Sequence, residues 1–378
     1  MVESRSGWYP VKPRRGASPD TFPTSLMAKS SPSGTVLHVG PEAAGRTLAA
    51  FLRERLGDAS WSRVHRLVRG RHVLVHGNVA TDAARRLKSG EVVKVLETAA
   101  ARPPRADDVR IVHLDEAVVV VDKPAGLTTT RHAEERDWPA RRRQVQPTLD
   151  ELLPAVIRRV GESRARRARG TPPRRAAPVR AVHRIDRETS GLLVFARTVP
   201  AERILAEQFR AHTTHRRYLA LCVGRVETGT IVSSLVRDRG DGRRGSSADG
   251  GGKRSVTHVR PLEHFGDDYT LVECRLETGR THQIRIHMAE SGHPVCGERV
   301  YSAPRGAAVE DRSQAPRVAL HAAELGFVHP VSGAEMRFQS PWPEDLARLV
   351  KRLRGLAAGR RGSAGPAPPR PPAAEEGR

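Results

Sequence analysis

The sequence is poor in cysteine and in aromatic residues, and it has no long apolar run. Its 378 residues include three cysteines, Cys222, Cys274 and Cys296, which lie too far apart for a close-spaced zinc site or a disulfide scaffold. No segment approaches the roughly 18 consecutive apolar residues that a membrane span needs. The first residues, MVESRSGWYPVKPRRG, contain no apolar signal region. These absences predict a soluble cytoplasmic protein that makes no membrane contact.

Acidic residues are in a clear minority. The chain carries 65 Lys and Arg against 42 Asp and Glu, a formal net charge of +23. Residues 131–180 hold 14 arginines and six acidic residues, a local excess of 14 − 6 = +8. Cations placed on phosphates release counterions, so this excess favours a nucleic-acid partner over a membrane surface. The alternative is an Arg-rich composition whose surplus charge is only solvated.

The composition divides the chain into segments. Residues 1–38 and 355–378 are rich in Pro, Gly, Ser and Arg without periodicity, and we predict a disordered basic arm and a disordered tail. Between them we expect one small domain at 39–97 and a larger one at 108–352. The larger domain carries the basic insertion at about 131–180. Hydrophobic residues make up 38% of the chain, which is enough for two cores.

The small domain reads as two short helices and a hairpin. Apolar residues recur at helical spacing after Leu48 and again after Ser62, a candidate N-cap, and HVLVHGNVA and EVVKVLE supply strands. With Arg46, the pair Ser62-Arg63, and Gly-Glu-Val-Val at 90–93, this segment resembles the ribosomal-protein-S-four-like RNA-binding module. The resemblance implies RNA contacts by one set of side chains: Arg46, Ser62, Arg63, Arg66 and Arg69.

The larger domain mixes strands and helices without regular alternation. Strand patterns at VVVVDK, GLLVFAR and RYLALCVG stand among helical patterns at 147–160 and 201–212. We therefore predict an α+β fold, with a large mixed or mostly antiparallel central sheet flanked by helices.

Two polar segments of this domain carry the chemistry. The first, His183–Gly191, is a charged loop that leads directly into the buried strand pattern GLLVFA, a place where catalytic groups tend to lie. Flanking arginines favour an ionised Asp186, which is then available as a nucleophile or base. In the second, TGRTHQIRIH, a helical reading points Arg285 inward, and we expect Asp186 to be its carboxylate partner. No carboxylate or cysteine joins the histidines there, so we predict no metal.

These two segments resemble the RluA-type pseudouridine synthases. The motifs HRIDRETSGLLVFAR and LETGRTHQIRIHMAESGHPVCGERVY occur in the expected order, with VVVVDKPAGL, RRYLALCVG and RVALHAAELGFVHP around them. The resemblance covers about 109–350, and an S-four-like module in front is a usual arrangement. It departs from the family at Ile185, where Leu is more common, and at Glu298, where Asp is frequent and to which we assign no role.

The resemblance implies that uridine in RNA, in particular large-subunit (23S) rRNA, is isomerised to pseudouridine without a cofactor. It gives Asp186 the catalytic role, Tyr218 the stacking of the target base, and Arg285 the pairing with Asp186. It does not decide whether Asp186 attacks the base or the sugar or abstracts a sugar proton. Neighbouring residues of the same motifs are further RNA-binding candidates: Arg184, Arg187, Arg280 and His282.

Two other functions compete with this interpretation. An RNA methyltransferase would need a Gly-rich methyl-donor loop after a strand, which DKPAGL does not provide. A non-catalytic ribosome-binding factor would have no reason to carry Asp186, Tyr218 and Arg285 together. We therefore expect a monomeric enzyme with RNA as its partner and no small-molecule cofactor.

Overall fold

The computed structural model describes residues 34–363 except for 76–77, 98, 101–103, 132–134, 136–142, 144–145, 168–177, 240–242, 248, 250 and 303–308. The chain divides into two compact units, Met1–Ala100 and Ala101–Arg378. Most of the predicted basic arm, and the tail beyond residue 363, lie outside the described residues. None of the described helices is both long enough and apolar enough to cross a membrane.

The first unit packs two helices on a small antiparallel sheet. Its apolar core is formed by both helices and the strands, with Leu48, Phe51 and Val64 almost fully buried. In the sheet, β1 pairs with β4, β4 with β2, and β2 with β3. The elements are β1 (Thr35–His38), α1 (Leu48–Arg55), α2 (Trp61–Arg69), β2 (Val73–Val75), β3 (Asn78–Val79) and β4 (Val92–Val95).

Two predictions for this unit are wrong in detail. The N-cap of α2 is Ser60, whose hydroxyl accepts a hydrogen bond from Arg63 N at 3.2 Å, and Ser62 is the second residue of the helix. Ser60 has the extended ψ of 147° that a cap needs, whereas Ser62 is already helical. Strand β1 also lies within the segment predicted to be a disordered arm. Its residues are ordered because they pair with β4.

The second unit is built on one large sheet. Among the described residues eleven strands form it, in the path β11-β10-β12-β13-β9-β14-β8-β6-β5, with β7 beside β8 and β15 beside β14. In the described part of the sheet only the β8–β14 pair is parallel, so the predicted mixed, mostly antiparallel sheet is confirmed. The strands are β5 (Arg110–Leu114), β6 (Val118–Lys123), β7 (Arg180–Ala181), β8 (Ser190–Ala196), β9 (His215–Val223), β10 (Gly229–Val236), β11 (Gly245–Ser246), β12 (Lys253–Phe265), β13 (Tyr269–Leu276), β14 (Leu320–Val328) and β15 (Glu335–Gln339).

Helices cover both faces of this sheet at β8, which explains its continuous apolar run. Leu193 and Phe195 face the main core, while Leu192 and Val194 face the opposite core under the helix Val199–Arg210. The main core includes residues of the other three helices. The helices are α3 (Leu149–Arg167), α4 (Val199–Arg210), α5 (Gln283–Glu290) and α6 (Glu344–Ser363).

Two segments, one predicted to be a basic insertion and the other a disordered tail, contain ordered helices. Leu149, Leu153 and Ile157 of α3 are buried in the main core, so the middle of the basic insertion is an integral part of the fold. Helix α6 continues through Gly355 to Ser363, where a disordered tail was predicted. Leu353 is buried and Ala357 packs against the main core, and this packing outweighs the low helix propensity of glycine.

Candidate active site

The loop 183–190, which we name the Asp186 loop, is fixed by hydrogen bonds on both sides of Asp186. Thr129 Oγ1 donates to the Ile185 carbonyl at 2.9 Å. The Arg187 carbonyl accepts from Gly126 N at 2.7 Å and from Lys123 Nζ at 3.1 Å. The residues on both sides of Asp186 are thus held by the loop that follows β6, which restricts where the carboxylate can point.

Lys123 is the cation that ties these loops together, and sequence reasoning gave it no role. Its side chain is fully buried, and Nζ donates to the carbonyls of Pro124, Leu127 and Arg187 at 3.1, 2.8 and 3.1 Å. Burial lowers the pKa of Lys123 from 10.5 to about 7, against the charges of Glu188 and Asp186, which raise it. The sequence feature that could have identified Lys123 is its position at the end of the apolar run VVVVDK.

His183 anchors the start of the loop. Its ring stacks on Phe209 at a centroid distance of 4.1 Å, and its Nε2 accepts from Val194 N at 3.1 Å. Burial and the charge of Arg216 lower the pKa of His183 to about 3, so the ring is neutral. It therefore supports the loop as an uncharged packing group.

Gly191 ends the loop at a position where no other residue fits. Its φ is +115°, and a Cβ there would lie 2.3 Å from the Ala322 carbonyl oxygen. In register, Lys123 pairs with Gly191, Gly191 with Ala322, and Ala322 with Tyr218. One row across four strands therefore carries both the end of the Asp186 loop and Tyr218.

Asp186 is largely buried and faces two basic side chains. Its side chain is 15% exposed, Arg285 Nη1 lies 3.7 Å from Oδ2, and His282 Nε2 lies 3.8 Å from Oδ1. Both distances exceed hydrogen-bond length. Arg285 and His282 therefore lie beside the carboxylate without occupying its oxygens, which leaves the carboxylate available to act as a nucleophile or base.

The predicted partner of Arg285 is only its second carboxylate. Its closest partner is Glu298, which accepts from Nε at 2.6 Å and from Nη2 at 2.8 Å in a two-point pair. Glu298 Oε1 also accepts from the backbone N–H groups of Arg299, Val300 and Tyr301 at 2.8, 2.8 and 3.3 Å. Asp186 is the carboxylate neighbour that was expected for Arg285, and Glu298 is an additional partner that reaches the guanidinium from a loop whose position the sequence did not reveal.

Burial and ion pairing shift the pKa values of Glu298 and Arg285 in opposite directions. Burial alone would raise the pKa of Glu298, but the hydrogen bonds and charge of Arg285 hold that pKa below its usual 4.5. Burial alone would lower the pKa of Arg285, yet Glu298 and Asp186 raise it. The pair is therefore fully ionised, and Arg285 is held still beside Asp186.

His282 links Asp186 to Tyr301. It has φ +59°, an uncommon left-handed conformation for a residue other than glycine, and its Nδ1 lies 2.7 Å from the Tyr301 hydroxyl. Burial raises the pKa of Tyr301 to about 12, so the hydroxyl keeps its proton. Burial, partly opposed by Asp186, lowers the pKa of His282. A neutral His282 that accepts from Tyr301 carries its proton on Nε2, towards Asp186.

Tyr218 is buried in the same core as Ile185. Its side chain is 9% exposed, and burial, assisted by the negative charge of Asp186, raises its pKa to about 12. The ring is therefore neutral at ordinary pH and offers an aromatic surface. The structure thus brings together the predicted Asp186, Tyr218 and Arg285.

The predicted RNA-binding residues fall into two groups. In the second unit, Arg184 is exposed, Arg280 and His282 are half-buried, and Arg187 Nε donates to the Gly126 carbonyl at 3.1 Å. In the first unit, Arg46 pairs with Glu54 at 2.5 Å. The α2 residues of this group are exposed: Ser62, Arg63, Arg66 and Arg69. No cluster of metal-ligating side chains occurs among the residues that the structure describes.

Comparisons with known proteins identify the family of the chain. The family model described as RNA pseudouridylate synthase matches residues 117–290. The chain is 37% identical over 328 residues to the ribosomal large subunit pseudouridine synthase D of Xanthomonas campestris, covering 84% of this chain and 91% of the relative. It is 36% identical to that of Neisseria meningitidis serogroup A (85% and 82% covered) and 33% identical to that of Escherichia coli K12 (82% and 91% covered).

The fold and the site therefore define an RNA-modifying isomerase. The chain belongs to the RluA-type family of RNA pseudouridine synthases.

Proposed function

We propose that this chain isomerises uridines of large-subunit rRNA to pseudouridine, with Asp186 as the nucleophile. The observation that carries the proposal is the position of Asp186, whose carboxylate is 15% exposed and lies within 4 Å of Arg285 and His282 with no hydrogen bond to either. The names of the relatives, which are large-subunit rRNA enzymes, support the choice of RNA.

In the proposed reaction the target uridine leaves its stack and lies against Tyr218. A base inside a helix is not accessible to an enzyme, and an aromatic ring is a sequence-tolerant surface for a flipped base. The glycosidic bond then breaks, the base turns, and its carbon 5 bonds to the anomeric carbon. Carbon 5 loses its proton to solvent and N1, which is freed from the sugar, takes up a proton, so the composition of the nucleotide is unchanged.

The Arg285–Glu298 pair supports this reaction without taking part in bond changes. Because Glu298 engages Nε and Nη2, only Nη1 of Arg285 faces Asp186. This arrangement fixes the Arg285 guanidinium beside Asp186, so that the cation does not have to move when the carboxylate reacts.

The front unit is proposed to bind RNA backbone. Its exposed side chains Ser62, Arg66 and Arg69 recur at spacings of four and three on α2 and therefore share one helix face. We also propose that the enzyme is a cytoplasmic monomer that needs no cofactor, because the isomerisation is redox-neutral and transfers no external group.

Mapping pseudouridine in rRNA tests the proposal. A strain lacking this gene should lose pseudouridine at one or a few large-subunit positions. A plasmid copy should restore them, and an Asp186→Asn copy should not. Unchanged large-subunit pseudouridine in the deletion strain would contradict the proposed substrate.

A further inference from the structure

Arg216 is a buried cation to which the mechanism above gives no role. It is 9% exposed and lies two residues before Tyr218 on β9, so the two side chains share one face of the strand about 7 Å apart along it. Arg217, between them, is on the opposite face and pairs with Glu273 and Glu324 at 3.2 and 2.7 Å.

No carboxylate neutralises Arg216 among the described residues. Its Nη2 donates to the Glu277 carbonyl at 3.2 Å, its guanidinium lies 5.9 Å from the Phe209 ring centroid, and its Nε is buried without an acceptor. Burial lowers the pKa of Arg216. A buried guanidinium with an unsatisfied N–H is costly unless a ligand completes it.

Arg280 repeats this pattern beside Arg216. Its Nε is also buried without an acceptor in the described structure, and it forms no ion pair there. Arg280 follows Gly279, against which Arg216 Nη1 lies, so the backbone at Arg280 is next to the Arg216 guanidinium. The Glu277 carboxylate, whose backbone carbonyl contacts Arg216, already accepts from His258 at 2.8 Å and lies 3.8 Å from Arg254.

The absence of a side chain at Gly279 leaves the space that the Arg216 guanidinium occupies. A Cβ on Gly279 would lie 2.7 Å from Arg216 Nη1, so a side chain there would displace the guanidinium. Gly279 is itself exposed, so the position next to the buried Arg216 guanidinium borders solvent. Two uncompensated guanidinium groups at an open position require an anion rather than another neutral group.

We infer that Arg216 and Arg280 form a subsite for a phosphodiester of the RNA strand next to the target uridine. The inference rests on the proposed placement of that uridine against Tyr218. Arg216 is two residues from Tyr218 on the same face of β9. An RNA strand whose flipped base lies on Tyr218 therefore passes the Arg216 guanidinium. A phosphate there satisfies the free N–H groups and fixes the register of the flipped nucleotide.

The test measures RNA affinity against salt. In an Asp186→Asn background, which prevents turnover, we would measure binding of an in vitro transcript of the large-subunit rRNA at increasing KCl. Arg216→Met should weaken binding about tenfold. Losing one phosphate contact should also reduce the slope of log affinity against log salt by about 0.7, the value for single-stranded RNA. Arg216→Lys keeps the charge and should keep the slope.

Arg225→Met is the matched control. It removes an exposed arginine beyond the other end of β9, roughly 30 Å along the strand, and should change neither affinity nor slope. An unchanged slope for a folded Arg216→Met protein, or an equal loss for Arg225→Met, would overturn the inference. If Arg216→Met does not fold, Arg280→Met is measured by the same criteria.

A second measurement locates the phosphate. Short RNAs containing the uridine identified by mapping would each carry one neutral methylphosphonate beside it. At one position the methylphosphonate should weaken binding to the parent protein but not to Arg216→Met, because both changes remove the same contact. Additive losses at every position would count against the subsite. Failure of the proposed function is distinguishable, since wild-type protein would then modify no large-subunit rRNA at all.

Discussion

Glu298→Gln is the substitution that most directly tests how the Asp186 site is held. The change keeps the size of the side chain and an oxygen for the backbone N–H groups, but it removes the anion that grips Arg285 at two points. Arg285 then has Asp186, 3.7 Å away, as its remaining carboxylate among the described residues. We expect the guanidinium to move onto Asp186 and occupy the oxygens that the reaction needs.

The magnitude follows from the burial of the pair. The side chains of Arg285 and Glu298 are 7% and 1% exposed, and removing one partner of a buried ion pair costs roughly 3–5 kcal/mol. For a domain of this size the melting temperature should fall by roughly 6–20 °C. Misplacing a catalytic group by about 1 Å lowers the rate by a factor on the order of 100, so turnover should fall by a similar factor.

Thermal unfolding and turnover of three variants provide the assay. Glu298→Asp keeps the charge and should retain most of the stability. Glu344→Gln removes one partner of an exposed pair with Arg348 and should leave the melting temperature nearly unchanged. Because Arg285 holds the pKa of Glu298 below 4.5, the stability gap between wild type and Glu298→Gln should be constant near neutral pH and close as the pH falls below about 4.5. A Glu298→Gln protein with wild-type stability and turnover would refute this reasoning.

Three further predictions concern other parts of the chain. Deleting residues 1–100 should weaken rRNA binding and site choice yet leave a folded unit active on short RNA, and a folded unit that modifies no RNA would contradict this. Replacing Arg141, Arg142 and Arg143 with Gln should flatten the salt dependence of RNA affinity, whereas an unchanged slope would show that these arginines are only solvated. Lys123→Met should remove a pH dependence: burial lowers the pKa of Lys123 to about 7, so folding is penalised below pH 7 and the penalty disappears as the pH rises to 10.5. Wild-type stability relative to Lys123→Met should therefore rise over that interval in urea titrations, and parallel pH profiles would contradict the assignment.

The sequence was most informative where a long motif coincided with a buried strand. Asp186 precedes β8, whose apolar run on both faces predicts a central strand, and Arg285 lies on the predicted helix α5. The α+β sheet followed from the absence of regular helix and strand alternation. These features depend on local periodicity, which a sequence displays directly.

Contacts between distant loops were not predictable in this way. Glu298 reaches Arg285 from a loop 13 positions further along the chain. Arg216 shares a strand face with Tyr218, but its burial depends on the packing of His183 and Phe209 beside Arg216. The end of α6 was missed because Gly and Arg composition suggested disorder, while the packing of Leu353 and Ala357 decides the structure. Tertiary contacts override composition at such positions.

The central claim is that Asp186 carries the reaction. Tritium on carbon 5 of uridine is released only when that carbon becomes bonded to the sugar, so its release from labelled large-subunit rRNA reports the chemistry directly. Asp186→Asn keeps the size of the side chain and removes its charge, so the variant should bind RNA almost as wild type does and release no measurable tritium. Substantial release by Asp186→Asn would contradict the account.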